Sequence, residues 1–184
     1  QHGYRTNTLA RSLVSGRSHS FGVVVFDLAN PFYAQFVNAF QLTAQQGGYV
    51  SYIMLSNKNQ KLEKAHVEAL LSRQVEGIVL NSAVAEENYG AYLKELHIPV
   101  LSVMNRIDDI PFLGFDEAAS AEKLTRLAVN RGYRHLFFVC PPLARAATSN
   151  MDSLVRRKQG FLRVMAEHPE LRYTLLETKD YLEI

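Results

Sequence analysis

Five short apolar runs, each followed by a stretch of helical periodicity, constrain this chain more than any other feature. They are FGVVVF (21–26), VSYIML (50–55), GIVL (77–80), PVLSVM (99–104) and LFFVC (136–140). Near-continuous runs of β-branched and aromatic residues are what parallel strands covered on both faces require. The intervening stretches read as helices. The first is capped by Asn30 with Pro31 in its first turn, buries Phe32, Phe36, Ala39 and Phe40, and stops at Gly47 and Gly48. The second covers 61–73 with Leu62, His66, Ala69 and Leu70 inward, and the third covers 86–96 with Tyr89, Tyr92, Leu93 and Leu96 at helical spacing. The fourth covers 118–131, turns Ala121, Leu124 and Ala128 inward, and ends at Gly132. Strand and helix alternating at this pace imply right-handed crossovers and an α/β fold with a doubly wound parallel sheet over about residues 20–145. Ligands of such sheets bind at the carboxyl ends of the strands.

The remainder is less regular. After CPP (140–142) the pattern gives a loop, a helix over 152–168 and a strand-like TLLET (174–178). That helix would expose Leu154, Phe161, Leu162 and Met165 unless dimerisation, domain swapping or further chain covers them. At 184 residues and 47% hydrophobic, the chain can bury one substantial core or one and a half small ones. No apolar run approaches the roughly 18 residues that span a bilayer, and the first residues lack the apolar segment of a secretory signal. The single cysteine, Cys140, reads as a small buried hydrophobe, and a reducing cytoplasm fits.

Charge is unevenly placed. The first twenty residues carry Arg5, Arg11 and Arg17 and no acid, so of 20 basic and 18 acidic side chains, 17 and 18 remain once they are set aside. The basic character therefore belongs to an N-terminal arm, YRTNTLARSLVSGRS, suited to contact with a polyanion. Within it, residues 7–14 place Leu9, Ala10 and Leu13 on one side of at most two helical turns, with Gly16 as a stop. So short a helix needs a partner, either DNA or another copy of the chain; the alternative is a disordered leader.

Enzymatic signatures are missing. The six histidines show no metal-ligand spacing, there is no P-loop, nucleophile elbow or dinucleotide fingerprint, and Asp108 with Asp109 reads as a solvated turn before Pro111. No catalytic residue, metal or cofactor is expected. The strand ends offer instead a polar and aromatic rim. Asp27 closes the first strand, and Phe32 and Tyr33 open the first helix, where rings stack on sugars and the helix terminus favours anions. Asn81 follows the third strand. Asp116 precedes the fourth helix, a position equally explained by N-capping.

The stretch YRTNTLARSLVSGRSHSFG (4–22), with NPFY (31–33 after Asn30), QVEGIVL (74–80) and the IPVLSV to GFD block (98–116), resembles the lactose/galactose repressor family of bacterial transcription regulators. The resemblance implies that residues 1–19 are a hinge segment whose helix lies in the operator minor groove. Leu13 would be a wedge that unstacks a base step, and Asn7, Leu9, Ala10 and Arg11 would also touch DNA. Thr6 stands where the family usually has proline. It further implies a periplasmic-binding-protein-like N-terminal lobe over 20–145 and the start of an incomplete C-terminal lobe over 146–184. The helix-turn-helix reader is expected outside these residues, making the chain part of a longer, homodimeric regulator. Its partners would be operator DNA and a small-molecule effector, either a sugar, a sugar phosphate or a similar metabolite. Asn105 and Arg106 match the family's Asp-Arg site with one extra residue after Pro99, which predicts a bulge, and Arg145 and Arg157 fall where the crossover between lobes supplies basic contacts. A periplasmic-type sugar-binding protein of a transport system is the alternative on the same fold, and a small α/β enzyme is the third reading.

Overall fold

A computed structural model describes residues 17–178. Five strands, β1 (Ser20–Val25), β2 (Val50–Leu55), β3 (Ile78–Leu80), β4 (Val100–Val103) and β5 (Phe112–Leu113), form one parallel sheet in the order β2-β1-β3-β4-β5. The order reverses beside β1, as in a doubly wound sheet, so the fold class expected from the alternation is the one observed. The helices α1 (Pro31–Gln46), α2 (Gln60–Ser72) and α3 (Tyr89–Glu95) connect these strands. The central strand is buried on both faces. Val24 joins Val67, Leu70, Ile78, Leu80 and Leu93 on one side, while Val23 and Val25 join Val37, Val79 and Val103 on the other. The two-residue β5 is too short to leave a periodic signature in sequence.

Helix starts follow local chemistry. The Asn30 side chain accepts from the Phe32 N–H, Asn59 from Leu62 and Asp116 from Ala119, so three helices begin on an Asx cap. The faces they bury differ in part from the sequence pattern. In α1 the fully inward residues are Val37 and Ala44, Phe36 and Phe40 pack at the margin, and Phe32 and Ala39 are exposed. The turn that holds Pro31 brings the helix start over the strand ends rather than over the sheet, which leaves Phe32 uncovered. In α2 the inward row is Glu63, Val67 and Leu70.

The chain changes sheet after β5. Helix α4 (Glu117–Asn130) leads to β6 (His135–Cys140), which pairs in parallel with β7 (Arg172–Glu177) across helix α5 (Asp152–Glu167) and takes no place in the five-stranded sheet. The first sheet therefore ends at Leu113, well before the residue 145 expected from the strand count. The reason is visible in β6, where only Leu136 and Cys140 are buried and Phe137 and Val139 are exposed, the alternation of a one-sided strand. Cys140 is buried as expected, and burial pushes its thiol up.

Helices α4 and α5 lie in close contact. A Cβ on Gly160 would fall 2.2 Å from the Ala118 carbonyl oxygen, so the absent side chain sets their approach. That contact turns Ala118, Ala121 and Thr125 inward and leaves Leu124 68% exposed, against the expected Leu124 face. It also covers most of α5: Phe161 and Met165 are buried with Leu136 and Leu171 and Leu162 packs against them, so of the apolar face expected to lie open only Leu154 stays outside the cluster.

At the opposite edge of the first sheet, the arm is tied down. Glu76 accepts from Arg17 Nε and Nη2 at 3.2 and 2.9 Å and from the His19 backbone N–H at 2.8 Å, while Arg17 Nη2 also donates to the Tyr49 hydroxyl at 2.6 Å. The guanidinium of Arg17 holds the Glu76 carboxyl below the usual glutamate range. The expected DNA contacts Asn7, Leu9, Ala10, Arg11 and Leu13 lie outside the described residues.

Two outcomes follow from this packing. Gly160→Ala brings roughly 1 kcal/mol of helix propensity but forces α4 away, for a net loss of about 1–3 kcal/mol, read as a fall of roughly 2–10 °C in Tm. In Arg17→Ala the Glu76 carboxyl, followed by NMR titration, moves back up towards the ordinary range. Its lowered value stabilises the folded chain above the unfolded value, and that contribution disappears as pH falls through the folded one.

Candidate functional site

The carboxyl ends of β1, β2 and β4 face the segment between β6 and α5 across a cleft of about 840 Å³. Asp27, Phe32, Tyr33, Asn105, Arg145 and Arg157 all line it, so six residues singled out along the sequence gather at one place. Asp27 accepts from the Asn30 backbone N–H at 2.9 Å, which fixes the turn that delivers Phe32 and Tyr33. Tyr33 packs edge-on against Phe26 and Phe32, and burial raises its phenol while Asn81 and Arg157 oppose the rise. Asn81 is fully buried beside Tyr33, just behind the lining, where its amide opposes the rise of the Tyr33 phenol.

Two expected residues are turned elsewhere. Arg106 lays its guanidinium 4.0 Å from the Phe112 ring centre and 3.9 Å from Asp152, outside the lining. Asp116 spends its carboxylate on the α4 cap. The bulge expected after Pro99 is a three-residue turn in which Met104 takes φ +66° and the Asn105 N–H donates to the Val103 carbonyl at 2.8 Å. It swings Asn105 into the cleft and Arg106 out of it.

Asn105 and Asn150 stitch the two sheets together. The Asn105 amide donates to the Ser82 and Asn150 carbonyls at 3.1 and 3.0 Å, and its oxygen accepts from the Ser153 hydroxyl at 3.1 Å. Asn150 returns the contact, donating its side chain to the Arg106 carbonyl at 2.7 Å and its backbone N–H to the Ala83 carbonyl at 3.0 Å. Gln60 reaches the Thr148 carbonyl from α2. Arg157 is gripped by Glu117 through Nε at 2.6 Å and Nη2 at 3.1 Å, a two-pronged pair that orients the fork along the cleft wall. Lys58 and Arg145 add positive charge at the rim, and Phe115, 59% exposed, adds a second open ring besides Phe32.

Lys58, Phe115, Glu117, Asn150 and Ser153 were not anticipated. Lys58 and Asn57 both take positive φ at the end of β2, a backbone signal absent from the letters of the sequence. Asn150 sits in a polar loop and Ser153 in the first turn of α5, and their partners are more than forty residues away. Among the described residues no group of three His, Cys, Asp or Glu side chains could hold a metal ion, and no helix is long and apolar enough to cross a membrane.

Asn105→Ala removes both donors and the acceptor at a buried position. The expected cost is about 1–3 kcal/mol, with faster amide exchange confined to residues 149–153. Unchanged exchange there would remove Asn105 from its stitching role.

Comparison with known proteins agrees with this geometry. Residues 18–182 match the family described as periplasmic binding proteins and sugar binding domain of LacI family. The HTH-type transcriptional regulator PtxS of Pseudomonas aeruginosa is 27% identical over 182 residues, covering 97% of this chain and 51% of that protein. Catabolite control protein A of Priestia megaterium is 26% identical over 167 residues, covering 90% and 49%. The chain thus spans about half the length of these relatives. Two solved structures share the fold. The Cra transcriptional dual regulator of Pseudomonas putida, in complex with fructose 1-phosphate, superposes with a TM-score of 0.75 at 18% identity over 87% of this chain and 58% of its own. A periplasmic binding protein/LacI transcriptional regulator of Alkaliphilus metalliredigens, complexed with D-xylulofuranose, gives 0.72 at 22% over 90% and 58%. With a family match running from the arm root over residues 18–182, on a fold shared with those structures, the chain belongs to the family of periplasmic binding proteins and sugar binding domains of LacI type.

Proposed function

We propose that this chain is the effector-binding and dimerisation core of a bacterial, cytoplasmic transcription regulator, a repressor without catalytic activity, whose effector is a sugar or sugar phosphate. The observation that carries this reading is the cleft. Open rings at Phe32 and Phe115 suit the flat apolar faces of a sugar, and the Tyr33 hydroxyl suits its hydroxyls, with Asn81 and Asn105 holding the wall behind it. Lys58, Arg145 and the Glu117-held Arg157 suit a phosphate at one end. Asp27 belongs to the hydroxyl-reading set, while Arg106 and Asp116 act on the site through the segments they brace. The separate pairing of β6 with β7 supports a second lobe that starts near Asp116 rather than at 146, which makes the cleft an interlobe site. An effector that binds both walls favours the closed arrangement by its differential affinity.

In this reading residues 1–19 are the hinge, with Asn7, Leu9, Ala10, Arg11 and Leu13 on operator DNA in the full-length homodimer. The transport reading has less support, because the relatives are transcription regulators.

A thermal-shift panel of neutral sugars, sugar phosphates and sugar acids tests the assignment, since a ligand of the native state raises Tm. The expected result is a shift with at least one phosphorylated member, weakened about tenfold by Arg145→Ala, an exposed position whose loss leaves the unliganded Tm in place. No shift with any member would overturn the effector class.

A further inference from the structure

Glu63 is fully buried, yet among the described residues it forms no salt bridge, and it takes no part in lining the cleft. Both its oxygens are used on one loop. Oε1 accepts the Ser82 hydroxyl at 2.5 Å and Oε2 accepts the Ala83 backbone N–H at 2.7 Å, while the Ser82 oxygen in turn accepts from the Val84 N–H at 3.0 Å. The other side of the same loop is the one that holds the opposite wall of the cleft. The Ser82 carbonyl accepts from Asn105, and the Ala83 carbonyl accepts from the Asn150 N–H at 3.0 Å and the Ser149 hydroxyl at 3.3 Å. A single residue, Ala83, therefore joins a buried carboxylate on α2 through its N–H to the segment between β6 and α5 through its carbonyl.

A carboxylate in this place is expensive. Burial pushes Glu63 up, opposed by the Ser82 hydroxyl, the Ala83 N–H, the Tyr89 hydroxyl from α3 and Lys64 on its own helix. An apolar side chain would fill the same volume between α2 and the sheet without that desolvation cost. What it could not supply is a pair of acceptors that fixes which way the 82–84 carbonyls point.

We propose that Glu63 is a positioning residue of the cleft, holding the 82–84 loop so that its outward carbonyls clasp Asn105, Ser149 and Asn150 and set the spacing of the two walls. Its importance for effector binding rests on the reading of the cleft given above, but the clasp itself is measured without any ligand, so the two can fail separately.

The experiment is amide exchange by NMR on the unliganded chain with Glu63→Met, which keeps volume and removes both acceptors, and Glu63→Gln, which keeps an acceptor for Ala83. In Glu63→Met, protection at residues 82–84 and 149–153 falls by about tenfold while α1 and α4 keep theirs, and Glu63→Gln restores it to within roughly threefold. Protection in 149–153 equal to that of the native chain, or a loss spread evenly over the whole fold, overturns the proposal. A second measurement needs no substitution. As pH is lowered through the raised Glu63 titration in the native chain, the Ala83 and Asn150 amide protons shift with one midpoint, and an Asn150 amide that does not follow Ala83 overturns the clasp even if neither variant folds.

Discussion

The structure depends on the double burial of β1. Val23, Val24 and Val25 are wholly shielded, with one apolar cluster on each side, and this is possible only if helices cover both faces of the sheet and connections cross from one face to the other. Parallel strands so connected send all their carboxyl ends to one edge. The turns after β1, β2, β3 and β4 must meet there, and none of them can bury its polar backbone without outside partners. The cleft is the place where those partners are found: the caps of α1 and α4, the Asn105 and Asn150 amides, and the Glu63 carboxylate beneath the loop.

That logic explains what could be read from the letters alone. Strand runs, the Asn30 and Asp116 caps and the rim residues Asp27, Phe32 and Tyr33 are local in origin, and each follows from a few neighbouring residues. The irregularity after β4 was signalled only by the resemblance, through the extra residue after Pro99, and it takes the form of a three-residue turn at Met104. The sheet to which β6 belongs was not foreseeable, since LFFVC is as apolar as the inner strands and only its partner, almost forty residues on, makes it one-sided. Leu124 misled for a related reason. Helical spacing marks it as inward, but the close α4–α5 contact at Gly160 selects small side chains and rotates the face. Glu63 and Asn150 carry no signal at all, because a glutamate on a helix and an asparagine in a loop are ordinary until their distant partners are known.

Polar groups in this molecule do different jobs according to burial. At the surface, Arg126 with Glu167 and Arg163 with Glu122 lace α4 to α5 in pairs that solvent screens. At the cleft, the Arg157 and Glu117 fork is partly shielded, so its geometry is held more firmly and an arginine is kept in a fixed pose. Tyr92, whose hydroxyl donates to Glu68, is pushed up to about 12 by burial and by the Glu68 carboxylate and is a neutral donor at neutral pH.

The anchor of Arg17 on Glu76 lies at the amino edge of the same sheet whose carboxyl edge forms the cleft. Between them runs β1, six residues and roughly 20 Å of extended chain, in which Leu70 packs against Gly22 and Val23 to Val25 are shielded from both sides. The root of the arm is therefore fastened to the most tightly packed strand of the sheet, so that Arg17 and the turn at Asp27 stand at the two ends of one buried span.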